Sequence, residues 1–300
     1  RTRLSLGSLF EIASVSKQFT AMGIMMLHDE GRLGFDDPVT KFFPEFPYRK
    51  VTVRHLLTHR SGLPDYLKIS PRLINPKGGY LTNDRLMEFL VRSVPDSLFE
   101  AGTAYRYSNT GYAVLAKVIE KVSGKPYDDF MSERIFAPLG MTSTFVFNPK
   151  KNFPWRKLAH GYNKRGRPVY GGYLSGVVGD KGIYSTVEDM FKWDQGLYDQ
   201  GLVKDETLAE AFTPSSYDAG AETDYGYGWR IVTTDSGEKI VFHTGWWGGY
   251  NSLFLRRLSD RSSIVVLSNR VNWSFCNIRN LRDMIGQPAN RDGKVAEKKG

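Results

Sequence analysis

Cysteine is almost missing from this chain: Cys276 is the only one in 300 residues. No internal disulfide can form, and a cysteine-built metal site is excluded. Cys276 falls in a segment that reads as helical, where a lone cysteine is a core side chain. Long apolar runs are missing too. Residues 21–27 are among the longest, against the roughly 18 that a membrane span needs. Internal repeats and low-complexity segments are absent. So are the Gly-x-Ser-x-Gly elbow, the phosphate-binding Gly-x-x-x-x-Gly-Lys-Ser/Thr loop and the dinucleotide fingerprint. The usual α/β-hydrolase serine and the common nucleotide sites are thereby excluded. His55 and His59 stand four apart as zinc ligands do, but Leu56 occupies the place of the catalytic glutamate, so both read as structural.

Charge of one sign is in excess, with 41 Lys and Arg against 32 Asp and Glu for a net +9. The basic residues are scattered, dense only at 164–167 and 294–299, and no nucleic-acid-binding signature accompanies them. They read as a solvated surface. A hydrophobic fraction of 41% with 24% charge is that of an ordinary globular chain, and this length builds one large or two intimate domains.

What is present begins at Ser14-Val-Ser-Lys17. Phe19, Met22, Met25 and Met26 follow at helical spacing and Gly31 closes the run, so the motif opens an apolar helix. Three residues apart on one helix face, the amine reaches the hydroxyl. A neutral lysine there can take the proton of a serine that is otherwise a weak nucleophile. A serine at a helix start is equally an N-cap, and the segment alone leaves both readings open. A chain of this length holds roughly one Ser-x-x-Lys by accident. A second copy, Ser236-Gly-Glu-Lys239, sits in turn chemistry between two β-prone runs and reads as a hairpin turn.

Helices are predicted over 51–59, 82–94 (stopped by Pro95), 110–123 (capped by Gly124), 127–136 (stopped by Pro138) and 185–197, the last opened by the pair Thr186 and Asp189. From residue 226 the pattern turns to strands, at 227–234, 238–244, 250–257 and 261–268, an antiparallel meander. A helix over 272–285 and a loose polar end follow. Helices in the middle and strands late fit an α/β layer with an inserted helical domain.

Two further segments carry chemistry. Tyr107-Ser108-Asn109 precedes a helix, where Ser108 or Asn109 is by default a cap. The functional alternative is a phenol sharing a proton with the serine–lysine pair and an amide orienting Lys17 or a substrate carbonyl. His243-Thr244-Gly245-Trp246-Trp247-Gly-Gly lies at the end of a predicted strand. Its glycines admit a close backbone or ligand, and a strand edge there can take a peptide-like acyl chain. The bland reading is a glycine-rich turn beside a core histidine. Trp246 either walls that cleft or fills the core.

In the order Ser14-x-x-Lys17, Tyr107-Ser-Asn109, His243-Thr-Gly245, the chain resembles the penicillin-recognising serine hydrolases, which include class C β-lactamases, D-Ala-D-Ala carboxypeptidases, D-aminopeptidases and esterases. Residues 12–21, 54–64 and 182–190 also resemble signatures of that family. The resemblance implies an α/β (α+β) fold of β-lactamase/transpeptidase type, an antiparallel sheet flanked by helices with an inserted helical domain. The sheet domain is expected at 1–57 and 180–290, the helical domain at 58–179 and a flexible tail at 291–300. Such proteins carry a helix and two strands before the serine motif. With thirteen residues before Ser14, those strands are expected to be missing here. The resemblance implies that Ser14 is acylated, that Lys17 with Tyr107 moves its proton, and that the N–H groups of Ser14 and Trp246 hold the oxyanion. Asn109 would hold the substrate amide, His243 with Thr244 would meet its carboxylate, and Gly245 belongs to the same substrate-binding segment. No metal or organic cofactor is implied. The expected partner is a small-molecule or peptide substrate rather than nucleic acid, with no integral membrane segment and the oligomeric state left open. A periplasmic or secreted location follows from the resemblance alone. His243 stands where typical β-lactamases have lysine. A carboxypeptidase, D-aminopeptidase or esterase is therefore expected ahead of a β-lactamase, with a non-catalytic penicillin-binding or scaffold protein as the other alternative.

Overall fold

The computed structural model describes residues 3–271 apart from 76, 153, 200, 216–223 and 235–236. Ser236, the helix expected at 272–285 with Cys276, and the tail at 291–300 lie outside the described residues. In chain order the elements are β1 (Phe10–Glu11), α1 (Ser16–Asp29), α2 (Val53–Leu57), α3 (Pro71–Ile74), α4 (Asn83–Ser93), α5 (Asn109–Ser123) and α6 (Tyr127–Met131). They continue with β2 (Phe145–Val146), β3 (Ile183–Ser185), α7 (Val187–Asp199), α8 (Asp205–Ala211), β4 (Asp224–Tyr225), β5 (Arg230–Thr233), β6 (Lys239–Trp247), β7 (Tyr250–Arg257) and β8 (Ser263–Ser268).

Strands β4 to β8 pair antiparallel in chain order, and β3 joins β1 to β2 in a second, small sheet. The fold is α+β, with the helices between the serine motif and the late sheet. Local chemistry accounts for the helix ends. Thr82 caps α4 by accepting from Arg85 N, and Val94 leaves it at φ +38° before Pro95. The hydroxyl of Thr186 accepts from Asp189 N at the start of α7. The helix expected over 127–136 is α6 continued by a π-helical turn, Ser132–Phe136.

Helix α1 is buried on every side from Ser16 to Leu27, which is why apolar residues surround it rather than forming one stripe. Phe19 stacks on Trp193 of α7 at 4.2 Å and meets Phe136 edge-on. One core continues from α1 through α5 and α7 to Ile231, Val241 and Phe254 of the sheet. Polar residues on such a helix need partners. Gln18 accepts from Trp193 Nε1 at 3.2 Å, and the hydroxyl of Thr20 bonds Tyr127 and Gly179 O. The buried pair Arg256–Asp194, 2.7 Å apart, ties β7 to α7.

The meander departs from expectation at two places: the run expected from 227 starts as β5 only at Arg230, with the short β4 paired ahead of it, and β6 is longer. Strand β6 does not stop at Thr244 but runs on through Gly245 and Trp246 to Trp247, paired throughout with β7. Gly248 and Gly249, at φ +55° and +88°, then make the two-residue turn, which needs positive φ at both positions. Its other neighbour, β5, pairs with β6 only from Lys239 to Phe242. On that side residues 243–247 run past the end of β5. No helix among the described residues is long and apolar enough to cross a membrane.

Candidate active site

Ser14 lies in a 3-10 turn, Ala13–Val15, that leads into α1 and packs on β6 and β7. The turn is held from both sides. Ile12 N donates to Ile183 O of β3, Ser252 Oγ of β7 donates to Ile12 O at 2.6 Å, and Val15 N closes on Ile12 O. Ala13 is forced to φ +49°, a left-handed conformation costing a non-glycine residue about 1–2 kcal/mol. Gly245 shows why the strand can lie so close. A Cβ there would stand 2.4 Å from Ile12 O and 2.2 Å from Ser252 Oγ. The two-residue turn makes Trp247 and Tyr250 the closing, hydrogen-bonded pair of the hairpin. Alternation then directs Trp246 N–H away from β7, toward the side where β5 has ended. The Trp246 ring is 55% exposed, so it walls a surface and is not core.

Lys17 is fully buried one turn further along. Its Nζ is 3.2 Å from Ser14 Oγ, 2.9 Å from Asn109 Oδ1 and 2.8 Å from Asp180 O. No carboxylate is among these three partners. Burial lowers Lys17 to about 8, while the charges of Asp180 and Asp65 pull it back up and that of Arg230 pushes it further down. A neutral amine has two N–H bonds and one lone pair. The ammonium donates to all three oxygens; once it loses a proton, the two carbonyl oxygens can keep the remaining N–H bonds and leave the lone pair toward Ser14.

Tyr107 shares a hydrogen bond with Ser14 and lies under the ammonium position, with Lys17 Nζ 4.8 Å from its ring centre. Burial raises the phenol well above its ordinary value. Tyr107 therefore stays a neutral phenol, and of the two groups beside Ser14 it is Lys17 that burial shifts toward its uncharged form. Ser108 occupies the N-cap position of α5, but no side chain caps the helix and its Oγ has no partner. The capping reading of Tyr-Ser-Asn gives way to Asn109, whose amide nitrogen donates to Asp65 Oδ2 at 3.0 Å while its oxygen holds Lys17.

His243 is buried with both ring nitrogens engaged. Nδ1–H donates to Thr244 O at 2.7 Å, and Nε2 accepts from the Tyr225 hydroxyl at 3.0 Å. Burial, then Arg230 and Lys17, hold it far below the ordinary histidine range, so it is uncharged. A second cationic side chain near the phenol, besides Lys17, is Arg230 of β5, its guanidinium 5.6 Å from the Tyr107 ring centre. Sequence reasoning missed Arg230, Asp65 and Asp180, and it set His59 aside. His59 lies against Tyr107, rings 4.2 Å apart, accepts from Ser108 N through Nδ1, and its carbonyl takes Arg106 N. It braces the whole 106–109 segment. His55 instead accepts from Thr52 N in the capping box of α2.

A family model described as Beta-lactamase matches residues 2–284. A penicillin-binding protein of Bacillus subtilis (strain 168) is 36% identical over 291 residues, covering 89% of this chain and 62% of that protein. The chain spans about half to three-fifths of the curated relatives it matches. The solved penicillin binding protein from Bacillus halodurans superposes with a TM-score of 0.82 at 27% identity, over 95% of this chain and 88% of that one. The D-amino acid amidase from Ochrobactrum anthropi SV3, complexed with D-phenylalanine, does so with a TM-score of 0.78 at 30% identity, over 95% and 93%. With the serine–lysine turn, the tyrosine loop and the histidine strand brought together on a fold shared along nearly its whole length, this chain belongs to the Beta-lactamase family.

Proposed function

We propose that this chain is a serine hydrolase that cleaves amide or ester bonds of small peptide-like substrates through an acyl-enzyme on Ser14. The observation that carries this is Lys17, an amine buried among two carbonyl oxygens and the Ser14 hydroxyl. Ser14 Oγ attacks the substrate carbonyl as its proton passes to Lys17 Nζ. Lys17 and Tyr107 then deliver that proton to the leaving nitrogen or oxygen, and water repeats the sequence on the acyl-enzyme. The N–H groups of Ser14 and Trp246 are assigned to the oxyanion, each such donor being worth about 3 kcal/mol of barrier. The acyl chain lies along residues 243–247 of β6, with the substrate amide at Asn109. A substrate carboxylate is assigned to Thr244 and the Arg230 guanidinium, because the buried, uncharged His243 has no ring nitrogen to offer. That favours a peptidase, amidase or esterase over a β-lactamase. The similarity to a D-amino acid amidase solved with D-phenylalanine supports the same substrate class.

The test is turnover of D- and L-amino acid amides, a D-Ala-D-Ala peptide, a p-nitrophenyl ester and a penicillin, with intact mass read after each. Turnover of an amide, peptide or ester together with a Ser14 adduct, both lost in Ser14→Ala, is expected. An adduct that survives Ser14→Ala overturns the assignment, and binding without any turnover makes the chain a non-catalytic member.

A further inference from the structure

Behind Lys17, on the side away from Ser14, lies a second set of ionisable side chains that acyl transfer itself does not use. Asp180 and Lys181 stand in the loop entering β3, and both are buried. The Asp180 main-chain carbonyl is the one that Lys17 holds at 2.8 Å. Its carboxylate accepts from the Tyr66 hydroxyl at 2.9 Å, and Oδ1 has no hydrogen-bond partner. Lys181 Nζ stands 3.8 Å from that oxygen and donates to the Tyr66 oxygen and to Val177 O, each at 2.8 Å. On the far side, Glu11 of β1 accepts from Gly182 N at 3.2 Å and from the Tyr184 hydroxyl at 3.1 Å. Residues 180–182 are thus pinned by Lys17, by Tyr66 and by Glu11.

The charges are as ordered as the contacts. Asp180, Asp65 and Arg230 face Lys17, and of these Asp180 does most to favour its protonated form. Asp180, Glu11 and Lys17 face Lys181. A buried carboxylate without a cation beside it would draw a proton onto the nearest amine. The only ammonium other than Lys17 placed to offset Asp180, among the described residues, is Lys181.

Resting on the Ser14–Lys17 reading above, we infer that Lys181 is a positioning residue of the active site. It fixes the Asp180 carbonyl against Lys17 and cancels the field of the Asp180 carboxylate, so that Lys17 can serve as the neutral base. Lys181 touches no reacting atom. Its removal leaves Asp180 uncompensated and favours protonated Lys17. Removal of the Asp180 charge does the opposite.

The experiment is the rate of Ser14 labelling by a fluorophosphonate against pH, which needs no natural substrate. Wild type is compared with Lys181→Met, Asp180→Asn and the double variant, each checked for folding by circular dichroism. The midpoint of the rising limb moves up by about one pH unit in Lys181→Met and down in Asp180→Asn, and returns close to wild type in the double variant. A purely structural role lowers the rate at every pH and leaves the midpoint in place. Midpoints that stay put, or that move the same way in both single variants, overturn the inference. If Lys181→Met does not fold, Asp180→Asn against the double variant carries the test, because neither leaves the Asp180 charge unpaired. If wild-type Ser14 takes no label, the acyl-enzyme reading has failed instead, and the NMR titration of Lys17 in the same variants then decides the inference.

Discussion

Lys17 and Lys181 are both buried, and both are lowered from the ordinary lysine range mainly by that burial. They share the Asp180 loop, yet their surroundings differ in kind. Lys17 meets two carbonyl oxygens and a serine hydroxyl, and no carboxylate is in contact with it. Lys181 meets a phenol that is itself bonded to a carboxylate, and that carboxylate also stands 3.8 Å away. Burial alone does not make a base. A lysine becomes one when its protons have neutral acceptors, its lone pair has a hydroxyl to face, and nearby anions are answered by other cations.

The comparison is broken most severely by exchanging the roles. Lys17→Ala is expected to reduce kcat/KM by about a thousandfold or more at every pH. Lys181→Met loses about tenfold near pH 7 and recovers at pH 9. Rescue by alkali in the second variant but not in the first separates base from positioning residue, and steady-state rates between pH 6 and 10 check it. In the wild type, activity is expected to rise as Lys17 loses its proton. The sign is therefore a tenfold gain per pH unit below about 8 and a plateau above it.

Asn109→Ala removes one of the two neutral acceptors and releases Asp65, with an expected loss of about a hundredfold in kcat/KM. Asn109→Asp sharpens the point, since an anion beside Lys17 raises the midpoint of the rising limb, as removal of Lys181 does. Gly245→Ala drives a methyl into Ile12 O and Ser252 Oγ, and is expected to destabilise the chain by about 2 kcal/mol and displace Ser14. Denaturant midpoints and the labelling rate read both effects. The smallest effect is Ala13→Gly, which relieves the left-handed strain and raises stability by about 1 kcal/mol in the same unfolding assay.

The parts of this site that were legible in the sequence are those whose chemistry is local. Ser14 and Lys17 are one helical turn apart, Tyr107 and Asn109 are two residues apart, and Pro95, Gly124 and the pair Thr186 and Asp189 marked ends of α4, α5 and α7. Strand β6 was read short because Gly245 and the two tryptophans resemble turn chemistry. The glycine is in the strand because the Ser14 turn needs its missing Cβ. Asp180 lies 163 residues from Lys17 and acts through its backbone carbonyl, for which no side-chain pattern exists. Arg230 is one basic residue among many until β5 is seen to end beside Tyr107. His59 was set aside with His55 as a spaced pair, yet its partners are Tyr107 and Ser108 and not another histidine. The two-residue strands β1, β2 and β4 are too short to show alternation.

The most direct measurement of the central claim is the titration of Lys17 itself, by NMR of chains labelled with carbon-13 at lysine Cε and assigned with Lys17→Met. A midpoint near 8 is expected for Lys17, well separated from the exposed lysines near ~10.4. A Lys17 signal that stays protonated above pH 10 would contradict the account, because a permanent ammonium cannot take the proton of Ser14.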